Sequence, residues 1–134
     1  MGNQNTKKVS FQDIQYAQTN ERILIINTLP ENEQSILIYK TTPISNEILE
    51  VENAIKHKNN IIIYGKNSND ETIYLKYTQI TKLGGNVYLY IGGLFEWMLL
   101  QDIYGKELFK TTSNIVDILK FKPNNILNTN YITY

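Results

Sequence analysis

Ile61-Ile62-Ile63-Tyr64-Gly65-Lys66-Asn67-Ser68-Asn69-Asp70 joins a fully apolar run to a short polar loop, and a long amphipathic pattern follows it. A run of β-branched residues without alternation suits a strand covered on both faces. In open α/β sheets the turns after the carboxyl ends of such strands hold ligands and chemistry. The stretch therefore reads as a buried strand ending at a site. From Glu71 to Leu83, the positions of Ile73, Tyr74, Tyr77, Ile80 and Leu83 form a helical stripe. Gly84-Gly85 ends it, as glycine does just past a helix.

The same alternation extends in both directions. Val87-Tyr88-Leu89-Tyr90-Ile91 is a further strand, followed by Gly92-Gly93 and a strongly apolar helix from Leu94 to Leu100. That helix is apolar nearly all round, which fits burial or contact with a partner. Upstream, Ser10 with Asp13 three positions on predicts a capped helix to about Thr19. Arg22 to Asn27 is another buried strand, ended by Pro30 and the acidic stretch Glu31-Asn32-Glu33. Ile36-Leu37-Ile38-Tyr39 is a short strand candidate. Ser45 is a good N-cap for a helix carrying Ile48, Leu49, Val51, Ala54 and Ile55. Thr112 or Ser113 caps a last helix through Ile115, Val116, Ile118, Leu119 and Phe121, stopped by Pro123. Strands alternating with helices at this pitch imply a mainly parallel central sheet flanked by helices, an α/β fold with right-handed crossovers.

Composition narrows the function. The 134 residues, 42% hydrophobic, suffice for one domain. The expected organisation is a flexible arm over residues 1–8, a domain over 9–122 and a tail over 123–134. Thirteen basic side chains balance thirteen acidic ones, so no global field attracts nucleic acid. Cysteine is absent, which removes disulfides, thiolate metal sites and cysteine nucleophiles. No metal site or cofactor is expected. His57 lies between Lys56 and Lys58 at a helix end, where cations favour the dipole and disfavour a metal. With no bilayer-length apolar run and no signal segment, the expected location is cytoplasmic. Met1-Gly2-Asn3-Gln4-Asn5-Thr6 fits the N-myristoylation pattern, which makes Gly2 a candidate lipidation site. One acyl chain with Lys7 and Lys8 gives weak, reversible membrane contact.

A buried strand ending in Tyr64-Gly65, a loop, a helix, and then Val87 to Ile91 followed by Gly92-Gly93 and Trp97 resembles the second half of a single rhodanese-like domain. The resemblance covers residues 9 to 121 and is best from 60 to 100. It implies a cysteine at the end of the central strand that carries a persulfide, and a loop whose backbone N–H groups cradle the anion. Here the cysteine position is Gly65 and the closing basic position is Asp70, with Lys66 partly offsetting that negative charge. The strand end that is usually Asp-x-Arg is Asn27-Thr28-Leu29, and the usual Gly-His-Ile pattern is missing around Leu37 and Lys40.

Glycine offers no nucleophilic atom for a persulfide or a cysteinyl phosphate. Ser68 has no positioned base and reads more simply as an N-cap. The degenerate loop Gly65, Lys66, Asn67, Ser68, Asn69 and Asp70 retains the backbone for weak anion binding, against which Asp70 competes for the same donors. The resemblance thus implies a catalytically inactive rhodanese-like module that binds an unidentified protein partner, membrane-peripheral if Gly2 is acylated. The competing expectation is residual sulfurtransferase, anion-binding or hydrolytic activity at loop 65–70. Trp97, Phe95, Tyr88 and Tyr90 are expected in the core or against the sheet.

Overall fold

The computed structural model describes residues 6–115 and 117–127. Strands β1 (Ile23–Asn27), β2 (Asn60–Tyr64) and β3 (Asn86–Tyr90) form one parallel sheet in the order β1-β2-β3. Ile63 pairs with Ile26 on one side and Leu89 on the other. Helices α1 (Phe11–Ala17), α2 (Glu47–Lys56), α3 (Thr72–Lys82) and α4 (Gly93–Tyr104) flank it. The alternation within β2 assigns them to two layers. Ile62 and Tyr64 face a core with Ile14, Ala17, Leu94 and Trp97 from α1 and α4. Ile61 and Ile63 face Val51, Ala54, Ile73 and Ile80 from α2 and α3. A strand covered on both faces has no solvent side, which is why this run is apolar throughout.

The capping box at α1 forms as its sequence predicts: Ser10 Oγ accepts from Gln12 N at 3.2 Å, and Asp13 Oδ2 accepts from Ser10 N at 2.9 Å. The helix stops at Ala17, short of Thr19. His57 is exposed at the end of α2, its Nδ1 2.9 Å from the Asn53 carbonyl. Trp97 and Tyr90 are fully buried, while Tyr88 and Phe95 are half-buried.

Three expected elements differ. Ile36–Tyr39 is not a strand: it makes a single antiparallel bridge, Ile38 to Thr111. Two of its backbone donors go to side chains, Ile38 N to the Tyr64 hydroxyl at 3.1 Å and Leu37 N to Thr112 Oγ1 at 3.0 Å, and Tyr39 N goes to the Lys110 carbonyl beside the bridge. Leu37 and Ile38 are buried as a strap across the core, without a ladder. Ser45 does not cap α2; it falls within a 3-10 turn, Ile44–Asn46, that leads into the helix. The last helix is replaced by a 3-10 turn, Ile118–Phe121, with Asp117 accepting from Leu119 N. Thr112 N donates to the Leu37 carbonyl, Thr112 Oγ1 accepts from Leu37 N, and Ser113 Oγ donates to the Ser35 carbonyl, which ties this stretch to the strap. Val116 lies outside the described residues, as does Gly2.

Before α1, Lys8 bridges to Leu89, and Lys7 to Val9 runs along the outer edge of β3. After the 3-10 turn, Ile126 and Leu127 are 74% and 99% exposed and do not join the core. Among the described residues no helix is long and apolar enough to cross a membrane.

Candidate functional site

Loop 65–70, at the carboxyl end of β2, is joined by backbone bonds to the start of α4. Leu94 N donates to the Gly65 carbonyl and Phe95 N to the Lys66 carbonyl, both at 2.9 Å. Gly93 makes this approach feasible. Its φ is +70°, and a Cβ there would lie 2.7 Å from the Gly65 carbonyl oxygen and 3.0 Å from Asn67 N. Only glycine tolerates both the left-handed backbone and that contact. Gly92 is crowded differently: its added Cβ would meet the carboxylate of Glu96, which also accepts from the Tyr90 hydroxyl.

With its carbonyls turned to α4, the loop turns N–H groups the other way. Lys66 N donates to Asp70 Oδ2 at 2.8 Å, and Asn69 N donates to Asn67 Oδ1 at 3.0 Å. Asp70 Oδ1 accepts from Thr72 N at 3.0 Å and from Thr72 Oγ1 at 2.6 Å. Asp70, and not Ser68, therefore satisfies the first turn of α3; Ser68 is exposed. An aspartate carboxylate at this place takes both the loop N–H and the helix N-terminal donors, as anions do there.

The Asp70 carboxylate also fills the volume that Gly65 leaves. A Cβ on Gly65 would lie 2.5 Å from Asp70 Oδ2, 2.9 Å from its Cγ and 3.0 Å from Ile73 Cγ2. A side chain at residue 65 and the observed Asp70 rotamer exclude each other. The strand end beside it carries no basic residue of its own: Asn27, 1% exposed, accepts from Leu29 N and Gln34 Nε2 through Oδ1, and its carbonyl accepts from Lys76 Nζ of α3 at 3.3 Å. Lys66 pairs with Glu33 at 3.4 Å.

Among the described residues no arrangement for nucleophilic catalysis surrounds Ser68. His57 precedes β2 while Ser68 follows it, so the two stand at opposite ends of a buried strand. Lys66 is engaged by Glu33. Among the described residues no group of three or more His, Asp or Glu side chains gathers to hold a metal ion.

Two buried tyrosines flank the loop and neither is poised as an acid. Burial, only partly offset by its hydrogen bonds with Thr41 and Ile38, holds Tyr64 protonated beyond the ordinary tyrosine range. Burial and then the Glu96 carboxylate do the same to Tyr90.

The last 3-10 turn, together with the residues just after it, completes the site through contacts that no sequence pattern marks. Asn67, itself buried, donates through Nδ2 to the Phe121 carbonyl at 2.9 Å, and Lys66 Nζ stands 5.8 Å from the Phe121 ring centroid. These contacts bring Leu119, Lys120, Lys122 and Ile126 to a groove of about 470 Å³ shared with Lys66, Asn67 and Asp70. No local pattern announces a pairing across 54 residues.

A comparison with curated proteins finds no match. The model of the rhodanese-like domain matches residues 10–100, well over half of the chain, from the start of α1 into α4. That span contains the parallel sheet, the loop that follows β2 and the Gly92-Gly93 turn that fixes it. This chain belongs to the rhodanese-like domain family and is a member without a cysteine.

Proposed function

We propose that this rhodanese-like domain is catalytically silent and works by binding a protein partner. The observation that carries the reading is the Asp70 carboxylate, which stands where a side chain on Gly65 would begin and takes the Lys66 N–H. The loop is an internally satisfied structural element, with no atom to carry sulfur or phosphate and its own anion in place. A domain that keeps its scaffold without a reactive group acts through its surface. Exposed large apolar side chains, among them Ile48, Leu75, Leu83, Ile103, Tyr104 and Leu119, give that surface adhesive material. If Gly2 is acylated, the same module docks its partner at a membrane surface, held weakly.

The test has two arms. The purified chain is assayed for sulfur transfer from thiosulfate to cyanide; no turnover above a protein-free control is expected, and clear turnover overturns the silent reading. Full-length and residue 9–134 chains are then used for cross-linking and pull-down. A specific partner retained by both locates binding in the domain, whereas loss on removing residues 1–8 locates it in the arm.

A further inference from the structure

The groove beside loop 65–70 is walled by a segment that lies outside the family match. Residues 118–126 follow the matched span, which ends at 100, and reach the loop through the Asn67 to Phe121 bond. What this segment adds is specific. Lys120 and Lys122 are exposed and make no ion pair among the described residues. Leu119 and Ile126 are 64% and 74% exposed on the same wall.

The acidic groups of the groove are already committed. Glu33 pairs with Lys66, and Asp70 accepts from Lys66 N and from Thr72. Positive charge is therefore left over at the rim while the floor is neutralised. A small anion has no place at the floor, because Asp70 holds the donors it would need. A ligand that fits must carry negative charge along the rim and aliphatic side chains against Leu119 and Ile126. An extended polypeptide offers both at its alternating spacing.

We propose that this groove docks an acidic peptide segment bearing aliphatic side chains, part of the protein partner, with Lys120 and Lys122 as its charge contacts. The inference rests on the protein-binding reading above and adds the face and the chemistry. Charged rims of this kind govern specificity and encounter more than raw affinity, so the interaction is salt-dependent.

The experiment is fluorescence anisotropy on the full chain with a short labelled peptide alternating glutamate and leucine, and a counterpart alternating lysine and leucine. Binding of the acidic peptide alone is expected, weakening as salt rises. The double variant Lys120→Glu/Lys122→Glu should weaken it about tenfold or more. Lys82→Glu, at the far end of α3, should leave it unchanged, and thermal unfolding checks that each variant is folded. Equal binding of both peptides, no binding, or an unchanged affinity in the double variant overturns the groove. If the double variant still retains the partner found by pull-down, docking is on another face and protein binding itself stands.

Discussion

Replacing Gly65 tests whether Asp70 is the reason the loop has its present shape. A Cβ at Gly65 meets Oδ2 at 2.5 Å and Cγ at 2.9 Å, closer than real side chains approach, so the carboxylate must turn away. Turning it forfeits the bonds from Lys66 N, Thr72 N and Thr72 Oγ1. For a half-buried carboxylate whose donors regain water, that loss is about 2–3 kcal/mol in all. Gly65 has no left-handed φ to violate, so the loss of glycine's freedom in the unfolded chain returns about 0.4–1 kcal/mol. Gly65→Ala should therefore destabilise by about 1–2 kcal/mol in urea unfolding. In an Asp70→Ala background the same change should be close to neutral, a coupling of about 1 kcal/mol or more. Equal effects in both backgrounds refute the exclusion. The chemistry follows the same logic. Gly65→Cys alone puts a thiol against a carboxylate, which disfavours the thiolate. Alkylation should be about tenfold slower than in Gly65→Cys/Asp70→Ala, and a persulfide held by the single variant would contradict the reasoning.

The two adjacent glycines should separate in thermal unfolding. Gly93→Ala combines a left-handed φ with a backbone contact at 2.7 Å and should cost about 3 kcal/mol or more, whereas Gly92→Ala meets only the movable end of Glu96 and should cost about 1 kcal/mol. The buried tyrosines set an alkaline limit. Tyr64 and Tyr90 have folded pKa values raised above their unfolded value, so their stabilisation is complete below about pH 10 and is lost as pH rises, because the unfolded chain releases protons the folded one keeps. Stability should fall above about pH 10 by about 1.4 kcal/mol per pH unit for each, and ultraviolet titration should show both ionising only as the protein unfolds; ionisation of either in the native state counts against this. Trp97→Ala removes a buried ring and the Nε1 bond to the Lys110 carbonyl at 2.9 Å, and should cost about 3–5 kcal/mol by urea unfolding.

The parallel sheet was legible because burial on both faces writes itself into the apolar runs of β1 and β2, and the amphipathic stripe of α3 needed no tertiary information. Ile36–Tyr39 and the region after Thr112 were misread for one shared reason. Four apolar residues look alike as a ladder strand or as a buried strap, and the difference lies in the Tyr64 hydroxyl and Thr112 Oγ1 that take the N–H groups of Ile38 and Leu37 from distant positions. The helical spacing after Thr112 was present too, but Thr112 and Ser113 are tied to Leu37 and Ser35 by contacts across 75 and 78 residues that no local pattern marks. At the loop, the sequence exposes Gly65 and Asp70 as separate departures from the family pattern. That one fills the space of the other is a matter of ångströms, with no trace in their spacing.

Family membership without the family's cysteine is intelligible from the same contacts. The Gly92-Gly93 turn and Trp97, on which the resemblance rests, hold the scaffold together. Gly93 seats the start of α4 on the Gly65 and Lys66 carbonyls, and Trp97 anchors α4 to Lys110 while packing edge-on against Tyr90. Their demands come from backbone approach and core packing, which hold whether or not residue 65 carries sulfur. A cysteine, in contrast, contributes a reacting atom at a place where the scaffold needs only volume. Asp70 supplies that volume and satisfies the Lys66 N–H as well. The parts of the motif that build the loop are separable from the atom that uses it, and in this chain they are separated.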